Sequence, residues 1–212
     1  MSLLVAIDGP AGSGKSTIAA AVAARLGLER LDTGAMYRAV TLLVLRAGAD
    51  PSDAEMATRL ARSMQIELGE RVILDGEDVT DAIRTEAVDE AVSAVSAHPG
   101  VRAELVRRQR EWRELHGGGV VEGRDIGSVV FPDADLKVYL TAEPAERARR
   151  RAGQRSGAAG GAPERTVAEL VRRDTFDATR RASPLQVAKG AIVVDSTGLS
   201  VDEVVEEVLS HL

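Results

Sequence analysis

Residues 7–16 read I-D-G-P-A-G-S-G-K-S and limit the possible folds more than any other stretch. Gly9, Gly14, Lys15 and Ser16 satisfy the pattern G-x-x-x-x-G-K-[ST] without a mismatch. Glycine at these places lets successive amide N–H groups converge on one phosphate, through backbone conformations closed to residues with a Cβ. Upstream, Leu3–Ile7 is a short apolar run suited to a buried parallel strand. Downstream, Thr17–Leu26 is Ala-rich and predicts a helix that ends at Gly27. A strand, a glycine-rich loop and a helix N-terminus form an anion-binding device. The pattern points Gly9, Pro10, Ala11, Gly12, Ser13, Gly14, Lys15, Ser16 and Thr17 at nucleotide phosphates. Lys15 would serve the β- and γ-phosphates, and the Ser16 hydroxyl would sit on Mg2+. The alternative is a chance match in a glycine-containing turn, against which the flanking strand and helix patterns count. Lys15 is also chemically unusual here, because beyond Lys137 and Lys189 the chain takes its positive charge from arginine.

With 212 residues, 44% of them hydrophobic, the chain can bury a real core and predicts one domain with small inserts. Aromatics make up only 2%, so that core must be aliphatic. The absence of cysteine excludes disulfides, a thiolate nucleophile and cysteine metal sites. No run approaches a membrane span and no charged leader with a cleavage site opens the sequence, so a cytoplasmic location is expected. A formal charge of −6, a pI near 5.2 and few stacking aromatics argue against a general nucleic-acid binder. An anionic ligand must therefore be held by local arginines.

Along the chain, Arg30–Asp32 reads as a short strand, Thr33-Gly34 as a turn and Met36–Ala47 as a helix. A second helix is predicted over Pro51–Gln65, opened by S-D-A-E. The period then changes to short antiparallel strands over Gln65–Val79, with turns at Gly69-Glu70 and Asp75-Gly76. Helical pattern resumes at Asp81 and again over Val101–Leu115, and Gly117–Gly119 breaks it. Val120-Val121, Leu136–Leu140 and Ala191–Asp195 read as further buried strands, with Val201–Leu209 as the last helix. Gly153–Pro163 has the composition of a mobile loop. The alternation predicts an α/β fold: a parallel sheet of about five strands with helices on both faces and a small antiparallel insert.

A phosphate loop alone does not separate a GTPase switch, an ATP-driven motor and a small-molecule kinase. An N-K-x-D guanine-reading segment is missing from the sequence. Arginines do recur at loop and helix boundaries: Arg38, Arg102, Arg124, Arg147, Arg149, Arg150, Arg151, Arg173 and Arg180. Moving a phosphoryl group between two polyanions needs many cations, and guanidinium supplies paired donors that stay ionised.

Several segments together resemble the bacterial cytidylate kinase family along essentially the whole chain. They are D-G-P-A-G-S-G-K-S, L-D-T-G-A-M-Y-R, D-G-E-D-V-T-D-A-I-R-T, V-E-G-R-D-I-G-S-V-V-F-P-D-A, R-R-D and S-P-L. The resemblance implies phosphoryl transfer from ATP to CMP or dCMP, with Mg2+; a monomer is the expected state. It implies a core over residues 1–32, 117–149 and 166–212, a CMP-binding lobe over 33–116 and a lid over 150–165. It puts Arg38, Arg124 and Arg180 around the CMP phosphate, and Ser93, Arg102 and Asp125 on cytosine. Arg173 and Asp177 fall where the family holds the sugar hydroxyls, and Thr33 and Tyr37 are further substrate candidates. Arg150 and Arg151 are expected on the phosphates in flight, with Lys15, Arg124 and Arg180. Phe176 and Ala178 depart from the family pattern, which is more charged there, and the lid is unusually rich in Gly and Ala.

Blander roles stand beside these. Arg147–Arg151 can be a solvated helix face, and Arg107, Arg108, Arg110 and Arg113 around Trp112 a surface stripe. Asp32 can simply cap the next helix, and Glu122 can either meet Mg2+ through water or brace the Arg124 loop. Two other functions are open: a P-loop kinase for UMP or AMP, and a nucleotide-controlled binding module.

Overall fold

The computed structural model describes residues 3–155, 167–168, 171–172, 174–176, 179 and 185–212, with only the backbone at 151, 154 and 155. The chain divides into two compact units, one of residues 1–30 and 117–212 and the other of residues 31–116.

The first unit is built on strands of almost uninterrupted apolar sequence. β1 (Leu4–Asp8) is buried along its full length, as a strand covered on both faces must be. It leads through the glycine loop into α1 (Lys15–Leu26), and β2 (Arg30–Asp32) follows at the junction with the second unit. After that unit come, in chain order, the strands Gly119–Gly123, Leu136–Thr141 and Ile192–Asp195, here numbered β6, β7 and β8 to leave β3–β5 for the insert. The sheet order is β2-β6-β1-β7-β8. β1 runs parallel to both neighbours, and its register sets Asp8 opposite Gly123. That register decides the site, because it brings the loops leaving β1 and β6 side by side. Val5, Ile7, Val22, Val138, Leu140 and Val205 belong to one aliphatic core shared by the sheet, α1 and the last helix, Val201–Leu209. That helix opens on a capping box between Ser200 and Glu203.

The second unit contains α2 (Thr33–Arg46), α3 (Ala54–Ser63), α4 (Glu86–Ala97) and α5 (Pro99–His116). Between α3 and α4 lies an antiparallel meander of β3 (Ile66–Leu68), β4 (Val72–Leu74) and β5 (Glu77–Asp78). Asp75 and Gly76 both have positive φ, 50° and 84°, as a two-residue hairpin turn between right-twisted strands requires. Within this unit α2 packs on α4, and α3 on α5.

Helix ends differ from the sequence expectation where a side chain caps the backbone. α2 starts at Thr33 instead of Met36, because the Asp32 carboxylate accepts from the Ala35 N–H at 3.1 Å. α3 starts at Ala54, after Asp53 caps Met56 N at 2.9 Å, and ends two residues before Gln65. Arg108 leaves the predicted surface stripe: its guanidinium donates to the carbonyls of Ala61, Arg62 and Met64, closing the C-terminal end of α3.

Candidate nucleotide site

In the first unit the loop between β1 and α1 has the shape its glycines permit. Gly9, Gly12 and Gly14 lie at φ 152°, 77° and 93°. A Cβ on Gly9 would stand 2.0 Å from the Leu140 carbonyl oxygen, and one on Gly12 would stand 2.9 Å from that of Arg147. The loop therefore passes too close to β7 and the following helix for any side chain at either point. The Lys15 side chain is buried and folds back over the loop, donating to the Pro10 carbonyl at 2.7 Å. The Ser16 hydroxyl donates to Glu122 at 2.8 Å, and the other Glu122 oxygen takes the Arg30 guanidinium at 2.9 Å. Glu122 is almost wholly buried, so this pairing is what allows a charge to remain there. The hydroxyl–carboxylate pair fits Mg2+, which takes one or two protein oxygens and completes its shell with phosphates and water. Among the described residues no cluster of three or more His, Asp or Glu could hold a metal by itself.

Immediately after β6, Arg124 donates to the Gly9 carbonyl at 2.8 Å, and Asp125 is buried beside it. The chain then makes one wide turn, Ile126–Val130, in which Val130 N and Phe131 N reach back five residues, to Asp125 O and Ile126 O. Asp8 closes the base of this turn. Its carboxylate, nearly inaccessible to solvent, accepts from Ile126 N and Gly127 N, each at 2.8 Å. Burial pushes the Asp8 carboxyl up to about 6, the nearby charge of Asp125 adds to this, and the two amides and Lys15 oppose it.

A helix over Pro144–Arg155, α6, borders the loop on another side. The alternative of a solvated arginine face holds for Arg149, which is exposed, and fails for Arg147. Arg147 is buried, donates to the Ala11 and Ala142 carbonyls, and pairs with Asp174, whose other oxygen accepts from Ala11 N. Arg150 donates to Ser13 O at 3.2 Å and to the Ser196 carbonyl at 2.8 Å, while Glu146 holds its Nε. Both arginines thus brace the loop backbone, and Asp174 and Ser196 join them.

The second unit holds its own group of the predicted residues. Thr33 is buried at the start of α2, and five residues on, Arg38 donates to Ile83 O and pairs with Asp89, whose side chain is largely covered. Asp89 and half-buried Ser93 are four apart on α4 and share a face. Arg102 is buried on α5, with its guanidinium 5.5 Å from the ring centre of Tyr37. Arg173, Asp177, Arg180 and the Arg151 side chain lie outside the described residues, as does most of the Gly153–Pro163 loop. Sequence reasoning missed Asp8, Arg30, Asp89 and Asp174. Only Asp8, adjoining the glycine loop, carried a positional signal.

A phosphate loop at the carboxyl end of the middle strand of a parallel sheet, with a serine–carboxylate pair beside it, defines a P-loop protein of the kinase type. The fold resembles a solved sugar kinase from Janibacter sp. HTCC2649, at TM-score 0.52 and 16% identity over 99% of this chain and 94% of that one. Sequence is more specific. The sequence model for cytidylate kinase matches residues 5–212, and the chain belongs to the cytidylate kinase family. It is 51% identical to a cytidylate kinase of Mycobacterium leprae over 98% of this chain and 94% of that protein. It is 50% identical to one of Solibacter usitatus over 98% of this chain and 90% of that one.

Proposed function

We propose that this chain is a cytidylate kinase that transfers the γ-phosphoryl group of ATP directly to CMP or dCMP, giving ADP and CDP or dCDP. Full-length kinship at half identity, with the whole phosphate loop present, carries the reading. The loop amides and Lys15 hold the donor phosphates. Mg2+, held by Ser16 with Glu122 nearby, neutralises charge on the phosphates when bound. Residues 33–116 form the acceptor lobe, residues 150–165 the lid, and the remainder the core.

The acceptor phosphate oxygen is already largely ionised at neutral pH, so no side-chain base is needed and the protein's task is positioning and charge. Arg38, Arg124 and Arg180 receive the acceptor phosphate, and Arg150 and Arg151 attend the phosphates in flight. Arg173 and Asp177 hold the sugar, and Thr33 and Tyr37 line the acceptor side. Asp125 accepts from the cytosine amino group and repels the uracil O4, Ser93 donates or accepts, and Arg102 meets the acceptor edge common to both bases.

An ADP-release assay across CMP, dCMP, UMP and AMP tests the proposal. Turnover should be fastest with the cytidine nucleotides. Preference for UMP or AMP would make it a different kinase, and tight nucleotide binding without turnover on any acceptor would make it a binding module.

A further inference from the structure

We propose that Asp8 is a positioning residue for acceptor recognition: its carboxylate fixes the loop that carries Arg124 and Asp125 against the phosphate loop. The inference rests on the reading of those two residues as acceptor contacts. Asp8 ends β1, and parallel pairing puts it opposite Gly123, the residue before Arg124. Its two oxygens take the N–H groups of Ile126 and Gly127, directly after Asp125. The first amides of a helical turn have no partner within the turn, so an outside acceptor decides where the turn sits. On the other side of the pair, the Arg124 guanidinium is tied to the carbonyl of Gly9, the residue after Asp8. Arg124-Asp125 is thus held at both ends by two consecutive residues at the root of the phosphate loop. Gly127 itself is closely packed, since a Cβ there would stand 3.0 Å from the Lys137 side chain and 3.3 Å from that of Ala188. A charge is retained in a buried place at the cost expressed in its raised pKa, with a second carboxylate, Asp125, nearby. Fixing the acceptor loop gives that charge a use that Asp8, sealed from solvent, cannot have through direct contact with a nucleotide.

Asp8→Asn keeps the shape and one accepting oxygen but turns an NH2 toward an N–H group. kcat and KM for CMP, UMP and ATP should be measured for it beside Asp125→Asn and Arg124→Ala. The KM for CMP should rise at least tenfold and the CMP-over-UMP preference narrow, with the KM for ATP changed less than threefold. A lowered melting temperature with the CMP constants and the CMP/UMP ratio unchanged would reduce Asp8 to a structural role and overturn the inference, as would equal losses for ATP and CMP. If Asp125→Asn and Arg124→Ala leave CMP use intact, the acceptor reading itself has failed. If they impair it and Asp8→Asn does not, only the positioning role has failed. Should Asp8→Asn not fold, amide exchange in the wild-type protein decides. Ile126 and Gly127 should gain protection on adding CMP and not with a non-hydrolysable ATP analogue alone, and the absence of that difference refutes the role.

Discussion

Titrating the unliganded protein offers a direct measure of what the buried Asp8 carboxylate costs. Its pKa is raised from 3.8 to about 6, chiefly by burial. In the unfolded chain the same group titrates at its ordinary value, so between those two pH values the native state holds the more protons. Stability from this group is therefore complete below about pH 3.8 and is lost as pH rises through about 6. This is the reverse of a salt-bridged aspartate. A shift of roughly two units corresponds to about 3 kcal/mol in total, with a limiting slope of about 1.4 kcal/mol per pH unit. Asp8 is sealed from water, so solvent screening discounts this little. Urea unfolding followed by circular dichroism, for wild type and Asp8→Asn between pH 4.5 and 7.5, isolates the group as a difference between the two proteins. Wild-type stability relative to the variant should fall by about 2 kcal/mol across that range. A flat difference would mean that the two amide hydrogen bonds fully compensate burial. A rising one would mean that Lys15 dominates. Either refutes the reasoning.

Lys15→Ala should abolish phosphoryl transfer while the circular dichroism spectrum stays that of the wild type; near-normal turnover would remove the phosphate loop from the mechanism. Arg38→Ala should weaken CMP use by about 1.5–3 kcal/mol with ATP binding untouched, as expected for one lost charge-assisted contact. It should also lower thermal stability by removing an ion-pair partner from the Asp89 carboxylate, and Arg38→Ala with Asp89→Ala should restore part of that loss. A double variant no more stable than the single one would count against that pair. Gln109 is fully buried on α5, and among the described residues both polar atoms of its amide lack a partner. Gln109→Met should therefore stabilise by about 1 kcal/mol and raise the melting temperature by about 2–4 °C, and a lower melting temperature would show that the amide is satisfied.

Local features were legible from sequence because their physics is local. The bend of the phosphate loop needs glycine at closely spaced positions, and Gly9, Gly12 and Gly14 adopt the positive φ that such a bend requires. Apolar runs of strand length became β1, β6 and β7, and Asp75-Gly76 made the hairpin turn. The helix starts at Thr33 and Ala54 were misjudged by three residues each, because apolar spacing marks the buried face while a carboxylate at the N-cap sets the first turn. Pairings between distant residues were another matter. Asp8 with Ile126, Ser16 with Glu122 and Asp174 with Ala11 are separated by 118, 106 and 163 positions. Composition and periodicity carry no distance information over such spans. Only the parallel strand order β2-β6-β1-β7-β8, and the register that sets Asp8 against Gly123, brings the roots of two loops together. The same holds for Arg147, which sequence leaves as either a solvated charge or a ligand arginine. Tertiary packing made it a buried brace of the loop, because a guanidinium can leave water only where carbonyls and a carboxylate wait to receive its donors.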